Sequence, residues 1–369
     1  MTVSIDVVQD FGKLREIEDT WNALIKKYGR NPFFLTRFVE QFMEFYRSKD
    51  WTPLTLVISN DEVITGIAPM MTRRRFGVRT VRFLSEFAFS PDFVFDDQYR
   101  ESYIASILDF LFKTLRCQFV DLTLPAESPN LRILEQTCKA KRIHFWENPC
   151  MGHCIIPIQC TWDEFKKRRG YNFRRRLKRL ERKLDRAGSW RTVCVGKRNN
   201  RSDAIKRILD VERKSWKQAW RAQRGIKMDQ DLLMIWKASQ YTARTEPNFD
   251  WKVWFLELNG QTLAYTLVLQ YKETAYIVKT SFDEEYRKFQ PSIYINNAAI
   301  RELFEEGQAR HIDWLSDLPF HRNWTEISMP RVEVMMSRSG VIRTITEFVL
   351  PNVPARTRVI LDQLLKGLS

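Results

Sequence analysis

The stretch WKVWFLELNGQTLAYTLVLQYKETAYIVKTSFD, residues 251–283, constrains the fold more than any other part of the chain. It holds three runs rich in aromatic and β-branched residues, and the first two flank Asn259-Gly260. A two-residue hairpin turn needs positive φ at its centre, which Asn and Gly tolerate, so this run predicts a tight hairpin followed by a third strand. A helical pattern comes next. Ile295, Ala299 and Leu303 line one face with Ala298 beside them, Pro291 suits the first helical position, and Gly307 ends the run. The strand-like HIDWLS closes the series.

The first half has the same grammar. NPFFLTRFVEQFMEFYR reads as an amphipathic helix, LTLVISNDEVITGIAPMMTRRR as strand, Asn-Asp turn and strand, ESYIASILDFLFKTLR as a helix and FVDLTL as a strand. Each half therefore fits an α/β unit with a mixed sheet. With 369 residues and 44% apolar content the chain can bury two cores. The expected boundary lies near residues 155–165, where Thr161 and Glu164 have capping-box spacing. This divides the chain into an N-terminal domain over 1–155, expected to be degenerate, a C-terminal domain over 156–350, and a tail or helix over 351–369.

The net charge of +15 points to an anionic partner. The densest cationic segment is FKKRRGYNFRRRLKRLERKLDRAG, in which Phe173, Leu177, Leu180 and Leu184 share one helical face and Gly188 offers a stop. Two readings stand. The helix over 163–188 is an arm for tRNA phosphates or an anionic membrane, or it is a solvated helix whose leucine seam packs on its own domain. The N-terminus lacks the basic-then-apolar layout of a secretory signal, and YIASILDFLFKTL is short and interrupted by Asp109. The expected location is the cytoplasm, with peripheral contact at the inner membrane face as the variant.

Six scattered cysteines do not make a disulfide framework in a chain this long. CMGHC, with Cys150, His153 and Cys154, has no second ligand pair to answer it, so no metal is expected. No GxxxxGK[ST], GxSxG or HExxH pattern occurs, which leaves nucleotide hydrolysis, serine hydrolysis and common zinc proteolysis unsupported.

Two features carry chemistry. In SDAIKRILDVERKSWKQAWRAQ the apolar stripe is Ile205, Ile208, Leu209, Trp216 and Trp220, and Glu212 falls on it. A carboxylate on a buried face needs a partner or a proton, so Glu212 belongs either to a structural ion pair or to a site. In YRKFQPS, Arg287 and Lys288 stand at the mouth of the helix that begins at Pro291, where free N–H groups and the helix dipole favour an anion.

Asp283, Tyr286, Pro291, Asp313, Asp317, Phe320 and Trp324, with Glu212, Ser215 and Trp216 of VERKSW upstream, give the pattern its family likeness. It resembles an acetyltransferase-like family related to cellulose-biosynthesis proteins, within the GCN5-related N-acetyltransferase (GNAT) superfamily. FFLTRFVEQF, ITGIAPM and SPDFVF extend the resemblance into the first half. It implies an α/β (α+β) fold of tandem GNAT-like domains, each a mixed, mostly antiparallel sheet flanked by helices, as in the FemAB-type aminoacyltransferases that build peptidoglycan bridges. The chain departs from the superfamily's glycine-bearing phosphate loop, and His321 stands where the family has Lys.

The implied reaction is direct transfer of an acyl group from acetyl-CoA or another acyl-CoA to an amine, in cell-envelope or polysaccharide modification. The resemblance places the pantetheine arm beside Ile277–Ser281, with Val278, Lys279 and Thr280 in contact. It places the pyrophosphate at Arg287, Lys288, Phe289, Gln290, Ser292 and Ile293. Asp317 and His321 are the catalytic candidates, followed by Glu212; His321 can titrate near neutral pH and suit either base or acid, or it is an ordinary surface histidine. Tyr294 is a candidate donor to the leaving thiolate. Asp313 holds a strand end and, with Trp216, Tyr276, Phe320 and Trp324, walls a pocket for an amine-bearing small molecule, sugar or lipid. The alternatives are an aminoacyl-tRNA-dependent transferase and a non-catalytic GNAT-fold protein that binds RNA or an anionic membrane.

Overall fold

Asn259 and Gly260 take φ values of 51° and 81°, the left-handed geometry that a tight hairpin requires, and join Phe249–Leu258 to Gln261–Tyr271. The computed structural model that shows this describes residues 3–29, 31–75, 77–84, 91–197, 203–218 and 228–338. The chain divides into two units, Met1–Met151 with Pro330–Ser369, and Gly152–Met329.

In the first unit, β1 (Val3–Val8), β2 (Thr52–Asn60), β3 (Val63–Arg75), β4 (Val78–Phe83), β6 (Phe119–Pro125) and β13 (Ser328–Ser337) follow one another across a sheet. All neighbours are antiparallel except β4 and β6. The short β5 (Val94–Phe95) pairs with β3. The β2–β3 turn sits at Asp61 and Glu62, both with positive φ, one residue later than the expected Asn-Asp turn. Helices α1 (Phe11–Glu16), α2 (Glu18–Lys27), α3 (Thr36–Arg47), α4 (Arg100–Asp109) and α5 (Pro129–Ala140) complete the unit. Phe38, Val39, Phe42 and Met43 of α3 are fully buried, as the helical spacing predicts.

The second unit takes the end of β7 (His144–Pro157) and then α6 (Trp162–Arg168), α7 (Tyr171–Ala187), β8 (Trp190–Gly196), α8 (Ala204–Arg213), α9 (Met228–Thr245), β9 (Phe249–Leu258), β10 (Gln261–Tyr271), β11 (Thr274–Phe282), α10 (Pro291–Glu306) and β12 (His311–Asp313). Its strand order is β7-β12-β11-β10-β9-β8, with β11 and β12 parallel and the rest antiparallel. One core joins Phe173, Leu177 and Leu184 of α7 to Ile295, Ala299 and Leu303 of α10 and to Val268 and Ile277 of the sheet. The leucine seam of the basic helix is thus spent on its own domain. Thr161 and Glu164 form the capping box at the start of α6.

Three expectations change, and two lie outside the described residues. The cationic segment is two helices rather than one, because Arg169 is extended (ψ 148°) and Gly170 opens a new helix. The helix with Glu212 ends at Arg213, so its buried seam is Ala204, Ile208, Val211 and Glu212, while Trp216 lies beyond it. Trp220 and the tail 351–369 lie outside the described residues. Residues 331–337, expected in the C-terminal domain, pair with β6 of the first unit.

Candidate active site

Strands β11 and β12 run side by side only briefly. Their parallel register covers Thr274–Tyr276 against His311–Asp313, yet β11 continues to Phe282. From Ile277 onward one edge of β11 has no strand beside it among the described residues. At this point β11 also carries a bulge, since Leu267 faces Lys279 and Val268 faces Ile277, leaving Val278 without an opposite residue. An extra residue bends the strand and re-aims its main chain, a device concentrated beside active sites. Val278 and Ile277 thus open a wedge whose wall is bare main chain.

The direction of that main chain follows from the ladder. Asp283 N–H donates to Leu263 O at 2.8 Å. Main-chain groups alternate along an antiparallel strand, so Ser281 turns toward β10, and Thr280 turns to the open edge. Lys217 Nζ donates to Thr280 O at 2.6 Å and so holds this edge. Lys217 lies at the foot of α8 and escaped the sequence reading, because nothing in a lone exposed-looking lysine signals a main-chain partner 63 residues away.

The two faces of β11 differ. On one, Thr266 and Thr280 hydroxyls donate to Asn296 Oδ1 of α10 at 2.7 and 3.0 Å. On the other lies Glu212, fully buried, accepting from Tyr265 OH at 2.6 Å. Lys279 Nζ stands 3.9 Å from Glu212 and 3.6 Å from Asp231. The hydroxyls of Ser215 and Ser281, both buried, have no hydrogen-bond partner among the described residues. Of the two readings given for Glu212, the buried ion pair is seen, with Lys279. Tyr265 and Asp231 were missed; Tyr265 follows from alternation along β10, while Asp231 on α9 is brought in by tertiary packing alone.

The mouth of α10 is built without glycine. Gln290 takes the left-handed conformation (φ 49°, ψ 51°) that a glycine would take freely. Arg176 Nε donates to Gln290 Oε1 at 2.6 Å, and Lys183 Nζ to Lys288 O at 3.3 Å, so α7 holds the turn from outside. Gln290 N–H is used by Arg287 O, and Ile293 N–H by Gln290 O. Pro291 has no N–H, which leaves Ser292 as the first-turn donor for an anion. Phe289 is buried in the core, Lys288 is exposed, and Arg287 pairs with Glu284 at 2.8 Å. Asp283 caps the preceding turn through Glu285 N–H, and Tyr286 OH donates to Gln261 Oε1, so these two motif residues serve the loop. In the first unit the corresponding helix α4 opens on Asp96, Asp97 and Glu101, a mouth of the wrong sign for phosphate.

After β12 the chain forms a polar knot. Asp317 accepts from Ser328, from Cys154 Sγ at 3.1 Å and from Arg322. The Ser328 hydrogen bond, then that of Cys154, hold its carboxyl below the usual aspartate range. His321 is buried against Trp314, ring centroids 4.4 Å apart, with Nδ1 2.9 Å from Ser316 O. Burial drives its pKa down to about 4, below the near-neutral range that the sequence allows for it. Asp313 accepts from His153 Nδ1 at 2.9 Å and from Leu315 N–H, fixing the strand end. Trp324 is buried between Phe173 and Trp314. Tyr276 is buried, Phe320 is exposed, and Trp216 is 49% exposed. Tyr294 packs edge-on against Trp190, and burial lifts its pKa to about 12.

Residues 171–320 match the family model of the acetyltransferase (GNAT) domain. No curated protein matches the chain in sequence. Among solved structures it is similar to FemX, with 11% identity over 94% of this chain and all of that one, TM-score 0.58. It is also similar to the C-terminal domain of a putative lysylphosphatidylglycerol synthetase from Agrobacterium fabrum, with 10% identity over 90% of this chain and 94% of that one, TM-score 0.53. The L-PGS of Bacillus licheniformis gives 10% identity over 92% and 94%, TM-score 0.51. At such identities these likenesses speak to fold. The parallel β11–β12 pair that opens at a bulge, followed by a helix with a cationic mouth, lies within the residues that match the acetyltransferase (GNAT) domain.

Proposed function

We propose that the second unit transfers an acyl group from an acyl-CoA to an amine by direct attack in a ternary complex. The observation that carries this is the open edge of β11 beyond the Val278 bulge, a main-chain wall on which a pantetheine arm can pair. Ser292 N–H, Lys288, Lys183 and Arg176 converge on the end of that wall and supply the donor and charges for a pyrophosphate.

The ammonium first gives one proton to a base; the neutral nitrogen then attacks the thioester carbonyl carbon, the C–S bond breaks, and the thiolate takes the second proton released from that nitrogen. A main-chain N–H at the bulge supports the developing oxyanion. Glu212 takes the first of these protons, directly or through a water, with Tyr265 and Lys279 holding its carboxylate in place. It is the better base of the two carboxylates, because Asp317 is already engaged by three donors that weaken its basicity. Asp317 instead ties the loop after β12 to β7.

The exposed cations of α7 favour an anionic partner, and aminoacyl-tRNA as donor is the second reading that they support. Titration with acetyl-CoA and longer acyl-CoAs by calorimetry separates the two. Saturable binding of an acyl-CoA supports the first reading. Stabilisation by tRNA with no response to any acyl-CoA would move the donor to the second.

A further inference from the structure

Helix α7 has two faces of opposite chemistry. Phe173, Leu177 and Leu184 are packed in the core, whereas Arg175, Lys178, Arg179, Arg182 and Arg186 are exposed and make no ion pair among the described residues. At the N-terminal end of this helix the chain is stitched to the loop after β12. Arg169 donates to Trp324 O, and the Phe173 ring lies 4.8 Å from that of Trp324. From this loop Leu318, Phe320 and Ile327 stand 39%, 46% and 47% exposed, and Tyr171, two residues beyond Arg169, is 68% exposed. Arg322, exposed and paired with Asp317, lies among them.

We propose that this surface docks on an anionic phospholipid bilayer. The cationic stripe of α7 meets the headgroups, while Leu318, Phe320 and Ile327 enter the boundary between headgroups and acyl chains. Charge complementarity alone would serve a nucleic acid equally well. The aliphatic side chains decide between them: Phe320 and Tyr171 could stack on a base, but Leu318 and Ile327 have no ring to stack and gain nothing from a phosphate backbone. Burying such groups is what a bilayer interface offers. The inference goes beyond the acyl-transfer reading and does not depend on it.

The test is flotation of the full chain with vesicles of phosphatidylcholine alone and with phosphatidylglycerol added, without acyl-CoA. Binding is expected only to the anionic vesicles and is lost as ionic strength rises from about 0.1 M to about 0.5 M. The triple variant Arg175→Glu, Arg179→Glu, Arg182→Glu should weaken it by at least about tenfold. Leu318→Ser, Phe320→Ser, Ile327→Ser together should also weaken it about tenfold while the salt dependence persists. Thermal midpoints of both variants near wild type show that the fold is kept. Failure of the wild-type chain to bind anionic vesicles overturns the proposal, and so does binding that ignores the serine substitutions. Preferential capture of RNA over the vesicles would reassign the surface to nucleic acid.

Discussion

Lys217 Nζ donates to Thr280 O at 2.6 Å, on a stretch of β11 main chain that no strand covers among the described residues. A pantetheine amide pairing with β11 competes for the same carbonyl. Removing the ammonium should therefore tighten cofactor binding rather than weaken it. A charge-assisted hydrogen bond is worth about 1.5–3 kcal/mol, so Lys217→Met is expected to lower the acyl-CoA Kd by roughly tenfold in calorimetry. A higher Kd in this variant would show that Lys217 instead holds the acyl-CoA.

Glu212 and Tyr265 are joined by a 2.6 Å hydrogen bond inside a fully buried cluster. General base catalysis typically contributes about 10²–10⁴-fold, so Glu212→Gln should cut kcat by roughly a hundredfold or more with KM little changed. Tyr265→Phe leaves the base but removes a donor, and a fall in kcat of about tenfold is expected. Wild-type kcat in Glu212→Gln would move the base elsewhere. Asp317→Asn supplies the contrast, since it should lower stability while sparing more than a tenth of kcat by the same reasoning.

Much of this was legible in the sequence. The Asn259-Gly260 hairpin, the leucine seam of α7 and the buried Glu212 all follow from spacing, because each depends on neighbours a turn or a strand away. What spacing could not reach was long-range. The bulge at Val278 is a mismatch between two strands, invisible in either alone. Gln290 adopts the left-handed turn because Arg176, more than a hundred residues earlier, holds its side chain, so the missing glycine did not mean a missing turn. His321 looked like a titrating group because its identity is visible in sequence and its burial is not.

Arg176 and Lys183 reach the α10 mouth from α7. If they serve the pyrophosphate, their loss should be felt only by ligands that carry one. Arg176→Ala with Lys183→Ala is expected to raise the Kd of acyl-CoA by about tenfold and to leave turnover of the corresponding S-acyl-pantetheine unchanged. Equal losses with both substrates would mean that the pair acts only by shaping the Gln290 turn, and Gln290→Gly would then restore binding.

His321 offers a sharp pH test. Its folded pKa is lowered to about 4 by burial, against 6.5 when exposed. Above pH 6.5 the ring is neutral folded or unfolded and contributes no pH dependence. As pH falls from 6.5 toward 4 the unfolded chain takes up a proton that the folded chain refuses, so stability declines across that window and levels off below it. A shift of this size corresponds to about 3 kcal/mol at most. Urea unfolding of the wild type and of His321→Phe at pH 7 and pH 4.5 isolates the residue, because other carboxylates titrate alike in both proteins. The phenylalanine ring can keep the stack on Trp314, where the histidine centroid lies at 4.4 Å, but has no proton to gain. The expected result is a smaller loss of stability in the variant between the two pH values. An identical loss in both would mean that His321 is hydrated in solution and free to act as a base near neutrality, which would return it to the catalytic candidates.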